Sequence, residues 1–438
     1  MSLYEILFNN NKNKNIEFGD ARFMNWSEER HFFSRNTING YRLDGKQYLR
    51  EKHLPTHCMT IASTGSGKSV VLTGHLLSLT KKDRVSCVVV DPSGEIQQTT
   101  QGWLKKQGYV IKSLNLNDTS KSKQFNPLKR ALLQENGIQE TVELLIDGEK
   151  DFWSLSARSR VENVLEALLN KNQDEYPKNL ASVLKIIHLM SVSPDVINEF
   201  MAKYLPEDKY LEYASFLAID SKVRNNILAT VKASLGKLTS KTISYITEKD
   251  SIEIEKLRKE KTVLFISARE DKVRKYFGFL LNLFVTQLLE YALEMPEKED
   301  LNLHFFLDEF ATFNLGRESF PEVLPILRRR RTACFMYLQD ISQLEQNYGS
   351  SGAKIVLANA LNKIIFGKAS IEVSRYVESL LGTTTKEVNG SLRPMPLLSG
   401  QEIRGLKQWE FLYLNGSHFK KMKVKPWFKS NLKRRANL

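Results

Sequence analysis

The chain has 438 residues, 42% hydrophobic and 26% charged, which are the proportions of a globular protein with a large core rather than a disordered chain. Its formal net charge of +14 favours an anionic partner, nucleic acid or an acidic membrane surface, although a generally basic surface would give the same balance. The longest apolar segment, 277–293, contains polar residues such as Gln287 and is therefore predicted to be a buried helix rather than a membrane span. Three cysteines without metal-ligand spacing are expected to be buried free thiols in a reducing compartment: Cys58, Cys87 and Cys334.

The first strong signal along the chain is a glycine-rich loop between two apolar runs. Residues 1–55 are predicted to lead into a domain, with 1–18 rich in Asn and Lys. A predicted strand (59–62), a loop (Ala-Ser-Thr-Gly-Ser-Gly-Lys-Ser) and a predicted helix (70–79) then form the setting of a phosphate-binding loop, with Ala62 in place of the usual first glycine. Lys68 is predicted to reach the β and γ phosphates and the Ser69 hydroxyl to hold Mg²⁺. The predicted nucleotide contacts are Thr64, Gly65, Ser66, Gly67, Lys68, Ser69 and Val70.

The segments after the loop alternate between strand and helix. An apolar run, 85–91, ends in Asp91, and a helix (95–106) and a strand (109–114) are predicted to follow. Asp91 is predicted to lie near the metal, because the carboxyl ends of parallel strands meet in one crevice.

Helical periods dominate residues 136–240, where Val161, Val164 and Leu168 share one predicted helix face. Strands are predicted again at 262–267, 303–308, 333–338 and 363–367. The fold class is therefore predicted to be α/β, with one α/β domain split by an all-α domain. The predicted limits are 56–130 and 250–428 for the α/β domain, 131–249 for the all-α domain and 429–438 for a basic tail.

A second candidate site follows the predicted strand at 303–308. Asp308 and Glu309 are adjacent acids at its end. In phosphate-loop enzymes an acid in this place holds the Mg²⁺ shell, and a neighbouring carboxylate can activate the attacking water. An ordinary acidic turn is the alternative interpretation.

Several ordered motifs resemble those of TraG/TraD-like coupling proteins of type IV secretion and conjugation, in the FtsK–HerA superfamily of ring ATPases. The resemblance runs from about residue 19 to 428. Ser93 stands where the family usually has Lys. The segments that carry the resemblance are Val89–Glu95, Phe125–Leu128, Phe306–Phe310 with Leu315–Gly316, Leu338–Leu344 with Tyr348–Gly349, and Pro396–Leu398 with Glu402–Ile403.

This resemblance implies a RecA-like P-loop NTPase domain that uses ATP and Mg²⁺ and assembles as a homo-hexameric ring. It implies that Arg328, the first of four consecutive arginines, acts on the nucleotide of the neighbouring subunit. The other three are expected to form a solvated or DNA-facing basic surface. Gln339 is expected to end a strand beside the phosphate loop and to report whether the γ phosphate is present.

The function that the resemblance implies is ATP-driven delivery of DNA, single- or double-stranded, or of a protein–DNA complex, to a type IV secretion channel. Expected partners are a relaxase or effector protein and the channel ATPases. Relatives typically carry membrane-spanning helices before this domain, so either a separate membrane-anchor protein is expected or an anchor has been removed. The expected location is the bacterial cytoplasm, at the inner face of the cell membrane.

Two alternative functions and the role of the basic tail stay open at this stage. The protein could be a non-hydrolysing cargo receptor at the channel, or a DNA-translocating motor of another FtsK–HerA type. The basic tail, including Lys429, Lys433, Arg434 and Arg435, could contact DNA or anionic lipid, or serve only as a solubilising extension.

Overall fold

The computed structural model describes residues 19–36, 38–63, 65–146, 151–309 and 319–438. The prediction for residues 1–18 and the motif positions Phe310, Leu315 and Gly316 lie outside this range. The strands, in chain order, are β1 Phe33–Ser34, β2 Tyr41–Arg42, β3 Tyr48–Leu49, β4 Cys58–Ile61, β5 Val85–Val90, β6 Val110–Asn115, β7 Thr262–Ser267, β8 Asn302–Leu307, β9 Thr332–Leu338, β10 Asn362–Phe366, β11 Thr383–Val388, β12 Ser391–Pro396, β13 Glu410–Asn415 and β14 His418–Lys423.

The helices alternate with these strands in the first and last parts of the chain. A short helix, Glu270–Lys272, and a π-helical turn, Val273–Phe277, precede the long helix that begins at Gly278. The α-helices are α1 Trp26–Phe32, α2 Lys68–Leu76, α3 Glu95–Lys106, α4 Pro127–Ala131, α5 Gly137–Leu145, α6 Phe152–Leu169, α7 Leu180–Val192, α8 Pro194–Tyr204, α9 Glu207–Leu217, α10 Ser221–Leu235, α11 Lys241–Ile246, α12 Gly278–Leu293, α13 Ser319–Leu327, α14 Ser342–Asn359, α15 Ile371–Leu381, α16 Gly400–Arg404 and α17 Lys433–Ala436.

The chain divides into two compact units. The first ends at Thr80 and resumes at Ala333, and the second is Lys81–Thr332. This division cuts the chain at points other than the predicted domain limits, so those limits stay a prediction. Each unit contains strands whose interior positions are buried on both faces, as parallel sheets covered by helices require.

In the first unit, five strands follow the order β14-β13-β10-β4-β9. β4 lies between β10 and β9 and is parallel to both, whereas β13 and β14 form an antiparallel hairpin at the edge. The buried hydroxyls of Tyr41 and Tyr337 lie 2.8 Å apart and connect β2 to β9. The carboxyl end of β4 is therefore flanked on both sides by parallel strand ends.

In the second unit, four parallel strands follow the order β8-β5-β7-β6. Among the described residues between β6 and β7 there are helices but no strand, in agreement with the helical periods of the sequence. The predicted helix face of Val161, Val164 and Leu168 is fully buried on α6. These residues thus form part of the helical core of this unit.

One described helix, Lys275–Leu293, is long and apolar enough to cross a membrane, and 61% of its apolar window is buried inside the protein. Such burial is typical of a core helix. Cys58, Cys87 and Cys334 are free and buried, as predicted, and burial raises the pKa of the Cys58 thiol to about 12.

Candidate functional site

The glycine-rich loop joins the end of β4 to the start of α2 in the first unit. The backbone N–H of Ser66 donates to the carbonyl of Ser63 at 3.0 Å, and the two serine hydroxyls lie 2.6 Å apart. These contacts close the loop on itself before the helix begins. Thr64, a predicted contact, lies outside the described residues.

Two glycines of this loop have backbone angles that L-residues rarely adopt. Gly65 has φ +75° and Gly67 has φ +125°. A Cβ atom on Gly67 would also lie 3.0 Å from Cζ3 of Trp409, whose indole ring covers this position. Position 67 therefore requires glycine, both because of its backbone angle and because the indole ring leaves no room for a side chain.

Lys68, Ser69 and Val70 form the first turn of α2, and the backbone N–H groups and dipole of a helix N-terminus favour an anion. Lys68 is only 7% exposed, whereas Ser69 is exposed. The arrangement places a lysine, a hydroxyl and a helix N-terminus together, which is the chemistry of a phosphate site.

Gln339 lies at the carboxyl end of β9, next to this loop in the same unit. The N–H of Ala62 donates to the carbonyl of Leu338 at 3.0 Å, one residue before Gln339. The side-chain oxygen of Gln343 accepts from the N–H groups of Gln339 at 3.0 Å and Asp340 at 3.3 Å. The Gln343 side chain thus fixes the backbone conformation at Gln339.

The candidate acidic residues lie in the second unit, where β5 and β8 are parallel neighbours and Val90 pairs with Leu307. Asp91 and Asp308 consequently follow two adjacent strand ends. Asp308 is buried, and its Oδ1 accepts from the N–H of Glu309 at 3.1 Å. Glu309 is partly exposed and has φ +51°, a left-handed conformation that is uncommon for a residue other than glycine.

The Asp91 carboxylate contacts the N-terminus of α3. Its Oδ2 accepts from the N–H of Gln97 at 2.8 Å and its Oδ1 from the N–H of Gly94 at 3.1 Å. Burial raises the pKa of Asp91 above its usual value, although these backbone hydrogen bonds oppose the rise. Asp91 therefore caps a helix in this structure, and a role at the metal stays a prediction.

The four consecutive arginines differ in their surroundings. Arg330 Nε donates to the carbonyl of Leu293 at 2.6 Å, and Arg331 donates to the carbonyl of Lys298 at 3.3 Å. Arg328 and Arg329 are exposed and make no side-chain hydrogen bond or ion pair within the described part of the chain. Two arginines thus hold the fold of the second unit, and two project into solvent.

A comparison with known protein families identifies the family of this chain. A family model described as type IV secretory system conjugative DNA transfer matches residues 10–430. The chain belongs to this family, which confirms the resemblance to coupling proteins. No curated protein sequence matches it.

Solved structures show the same fold at low sequence identity. Bacterial conjugative coupling protein TrwBdeltaN70, in a trigonal form with sulphate, is 20% identical with a TM-score of 0.67, covering 93% of this chain and 96% of that one. Plasmid coupling protein TrwB in complex with ADP and Mg²⁺ is 19% identical with a TM-score of 0.68, covering 94% and 97%. VirB4 of Thermoanaerobacter pseudethanolicus is 13% identical with a TM-score of 0.54, covering 91% and 97%. The predicted α/β, RecA-like P-loop fold is therefore confirmed.

Proposed function

We propose that this protein is an ATP-hydrolysing coupling protein that delivers DNA, or a protein–DNA complex, to a type IV secretion channel. The observation that carries the proposal is the loop between β4 and α2, with two left-handed glycines and Lys68 at the helix start, in a chain of the conjugative DNA transfer family. Complexes of the similar protein TrwB with ADP and Mg²⁺, and with an ATP analogue, support the choice of nucleotide.

Each residue of the loop has a chemical task in this proposal. The backbone N–H groups of Gly65 and Gly67 bind the phosphate oxygens, whereas that of Ser66 donates to the Ser63 carbonyl, and Lys68 neutralises the β and γ phosphates. The Ser69 hydroxyl and the carboxylate of Asp308, with Asp91 as a third candidate, are the oxygen donors that Mg²⁺ prefers. Bound Mg²⁺ would offset the negative charge between the β and γ phosphates.

Hydrolysis requires groups that act on the attacking water and on the developing charge. Glu309 accepts a proton from the water, and the Gln339 amide donates to the γ phosphate or to that water. Arg328 stabilises the charge on a neighbouring subunit's nucleotide in a homo-hexameric ring, a role for which its exposure and lack of a side-chain partner within the described residues leave it available.

The remaining parts of the proposal concern partners and location. Membership of the family associates the chain with type IV secretion, so the cargo would include DNA with a relaxase, or an effector protein, and the channel ATPases would be neighbours. We propose that it works in the bacterial cytoplasm at the inner face of the membrane.

The test is ATP turnover measured across protein concentration, with single-stranded DNA, double-stranded DNA and no DNA. We expect turnover per subunit to rise cooperatively with concentration, because Arg328 of one subunit serves the next, and to be stimulated by DNA. Nucleotide binding without turnover under every condition would favour the non-hydrolysing receptor instead.

A further inference from the structure

A basic groove of about 790 Å³ opens in the first unit along the edge strand β14. We call it the β14 groove. Five of its exposed cations are Arg35, Lys46, Lys423, Lys425 and Lys429, and the ring of Trp409 also lines it.

The charge of the β14 groove is largely uncompensated. None of these five cations makes a side-chain hydrogen bond or ion pair with any residue that the structure describes. Two further lysines are paired, Lys420 with Glu29 at 2.6 Å and Lys421 with Glu410 at 3.2 Å. Among the described lining residues Asp44 is the only acid, and its Oδ1 accepts from backbone N–H groups at 2.7 and 2.6 Å. The groove thus presents a cluster of unpaired positive charge to an anionic ligand.

Trp409 connects the groove to the phosphate loop. Its backbone has φ +72°, a rare conformation for a bulky residue, and its carbonyl accepts from the N–H of Val424 at 2.8 Å. The indole ring lies directly over Gly67, since a Cβ there would be 3.0 Å from Cζ3 and 3.2 Å from Cε3. A ligand that moves this ring would therefore act on the residue that precedes Lys68.

We propose that the β14 groove binds single-stranded nucleic acid, with its lysines on the phosphodiester groups and Trp409 stacked on a base, and that Trp409 transmits this binding to Gly67. A cationic groove with an aromatic side chain is the general form of a single-strand site. Its concave shape suits a chain that enters it better than a flat membrane surface. The transmission step rests on the proposed ATPase function, but the binding step does not.

The binding step is tested by fluorescence anisotropy of a labelled oligothymidylate of about 16 nucleotides, without nucleotide present. The triple variant Lys423→Glu, Lys425→Glu, Lys429→Glu should bind weakly, and its salt slope should be smaller by about 2, because each lost phosphate contact contributes about 0.7. The matched control, Lys105→Glu, Lys106→Glu, Lys171→Glu, makes the same charge change at exposed lysines of the second unit.

Unaltered binding by the groove variant, or equal weakening in the control, would overturn the proposal. Sedimentation with vesicles of phosphatidylcholine and phosphatidylglycerol gives the remaining outcome. A groove variant that loses vesicle binding but keeps the oligonucleotide would assign the groove to a membrane surface and refute the nucleic-acid assignment.

The role of Trp409 is tested by Trp409→Ala and Trp409→Phe. Loss of stacking should weaken oligonucleotide binding about fivefold or more in the alanine variant, and phenylalanine should restore most of it. At saturating oligonucleotide, the ratio of stimulated to basal ATP turnover should fall toward one only in the alanine variant. An unchanged ratio in the alanine variant would refute transmission from Trp409 to Gly67. If the wild-type protein shows no ATP turnover at all, the ATPase proposal is refuted, and the anisotropy measurements alone test nucleic-acid binding by the groove.

Discussion

The backbone N–H of Ala62 donates to the carbonyl oxygen of Leu338 at 3.0 Å, and this bond joins the end of β4 to the end of β9. Ala62 is the first residue of the phosphate loop, and Gln339 directly follows Leu338. A displacement of either strand end therefore also moves the other strand end. This is the physical basis on which Gln339 could respond to the occupancy of the loop.

Lys68→Ala should abolish ATP hydrolysis while the protein stays folded. Lys68 occupies the first position of α2, and alanine has a high helix propensity. The substitution therefore removes the positive charge that would bind phosphate but keeps the helix. Turnover and far-UV circular dichroism measure the two effects, with Lys105→Ala at an exposed helical position as the control. Normal turnover in the Lys68 variant would contradict the assignment.

Glu309→Gln should bind ATP with near-normal affinity and fail to cleave it. Glutamine keeps the size and hydrogen-bonding shape of the side chain but cannot accept the proton of the attacking water. We expect turnover to fall by about 100-fold or more. Equilibrium binding of a fluorescent ATP analogue and single-turnover hydrolysis separate the two steps, and normal cleavage would show that another group is the base.

Much of the fold could be predicted from the sequence because its strands and helices are strongly patterned. β7 and α3 have the predicted limits, Thr262–Ser267 and Glu95–Lys106. β8 begins and ends one residue earlier than predicted, at Asn302 and Leu307. Gln287, which interrupts an apolar helix in the sequence, donates to the carbonyl of Pro127 at 3.0 Å, so the polar residue has a buried structural partner that periodicity does not show.

The site was less predictable, because side-chain direction and long-range contact leave little trace in local patterns. Asp91 directly follows β5, one residue beyond its last position, and its carboxylate contacts the N–H groups of Gly94 and Gln97. Trp409 lies against Gly67 although more than 300 residues separate them, and no motif marks it. Such residues are found only when the folded chain is known.

Arg328→Ala should lower ATP turnover in the assembled protein, whereas Arg329→Ala should not. Both side chains are exposed and neighbouring, so the second variant controls for lost surface charge. An arginine that acts in trans raises the rate of nucleotide hydrolysis about 10³-fold or more. The test is ATP turnover at high protein concentration, with sedimentation velocity to establish that each variant assembles. Equal turnover in the two variants would contradict the role of Arg328 in trans.

Gly67→Ala should destabilise the protein more than Gly108→Ala and should also weaken nucleotide binding. Both glycines have positive φ, +125° and +80°, but only a Cβ on Gly67 would meet a neighbour, whereas a Cβ on Gly108 would have no described heavy atom within 4 Å apart from its own chain neighbours. Backbone strain alone accounts for roughly 1–3 kcal/mol at such positions. Urea unfolding and ATP-analogue binding measure the two effects, and nucleotide affinity should be unchanged in the Gly108 variant.

His304→Phe should make the free energy of unfolding less sensitive to acid. His304 lies on β8, and burial lowers the pKa of its imidazole from the usual 6.5 to about 3. Between these values the unfolded chain binds a proton that the folded protein does not, so stability falls as pH falls through this window. From about pH 7 to about pH 5 the wild type should lose about 2 kcal/mol more than the variant. Urea unfolding at both values measures this, with His188→Phe at an exposed position as the control, and equal losses in wild type and the His304 variant would show that the imidazole is not the source.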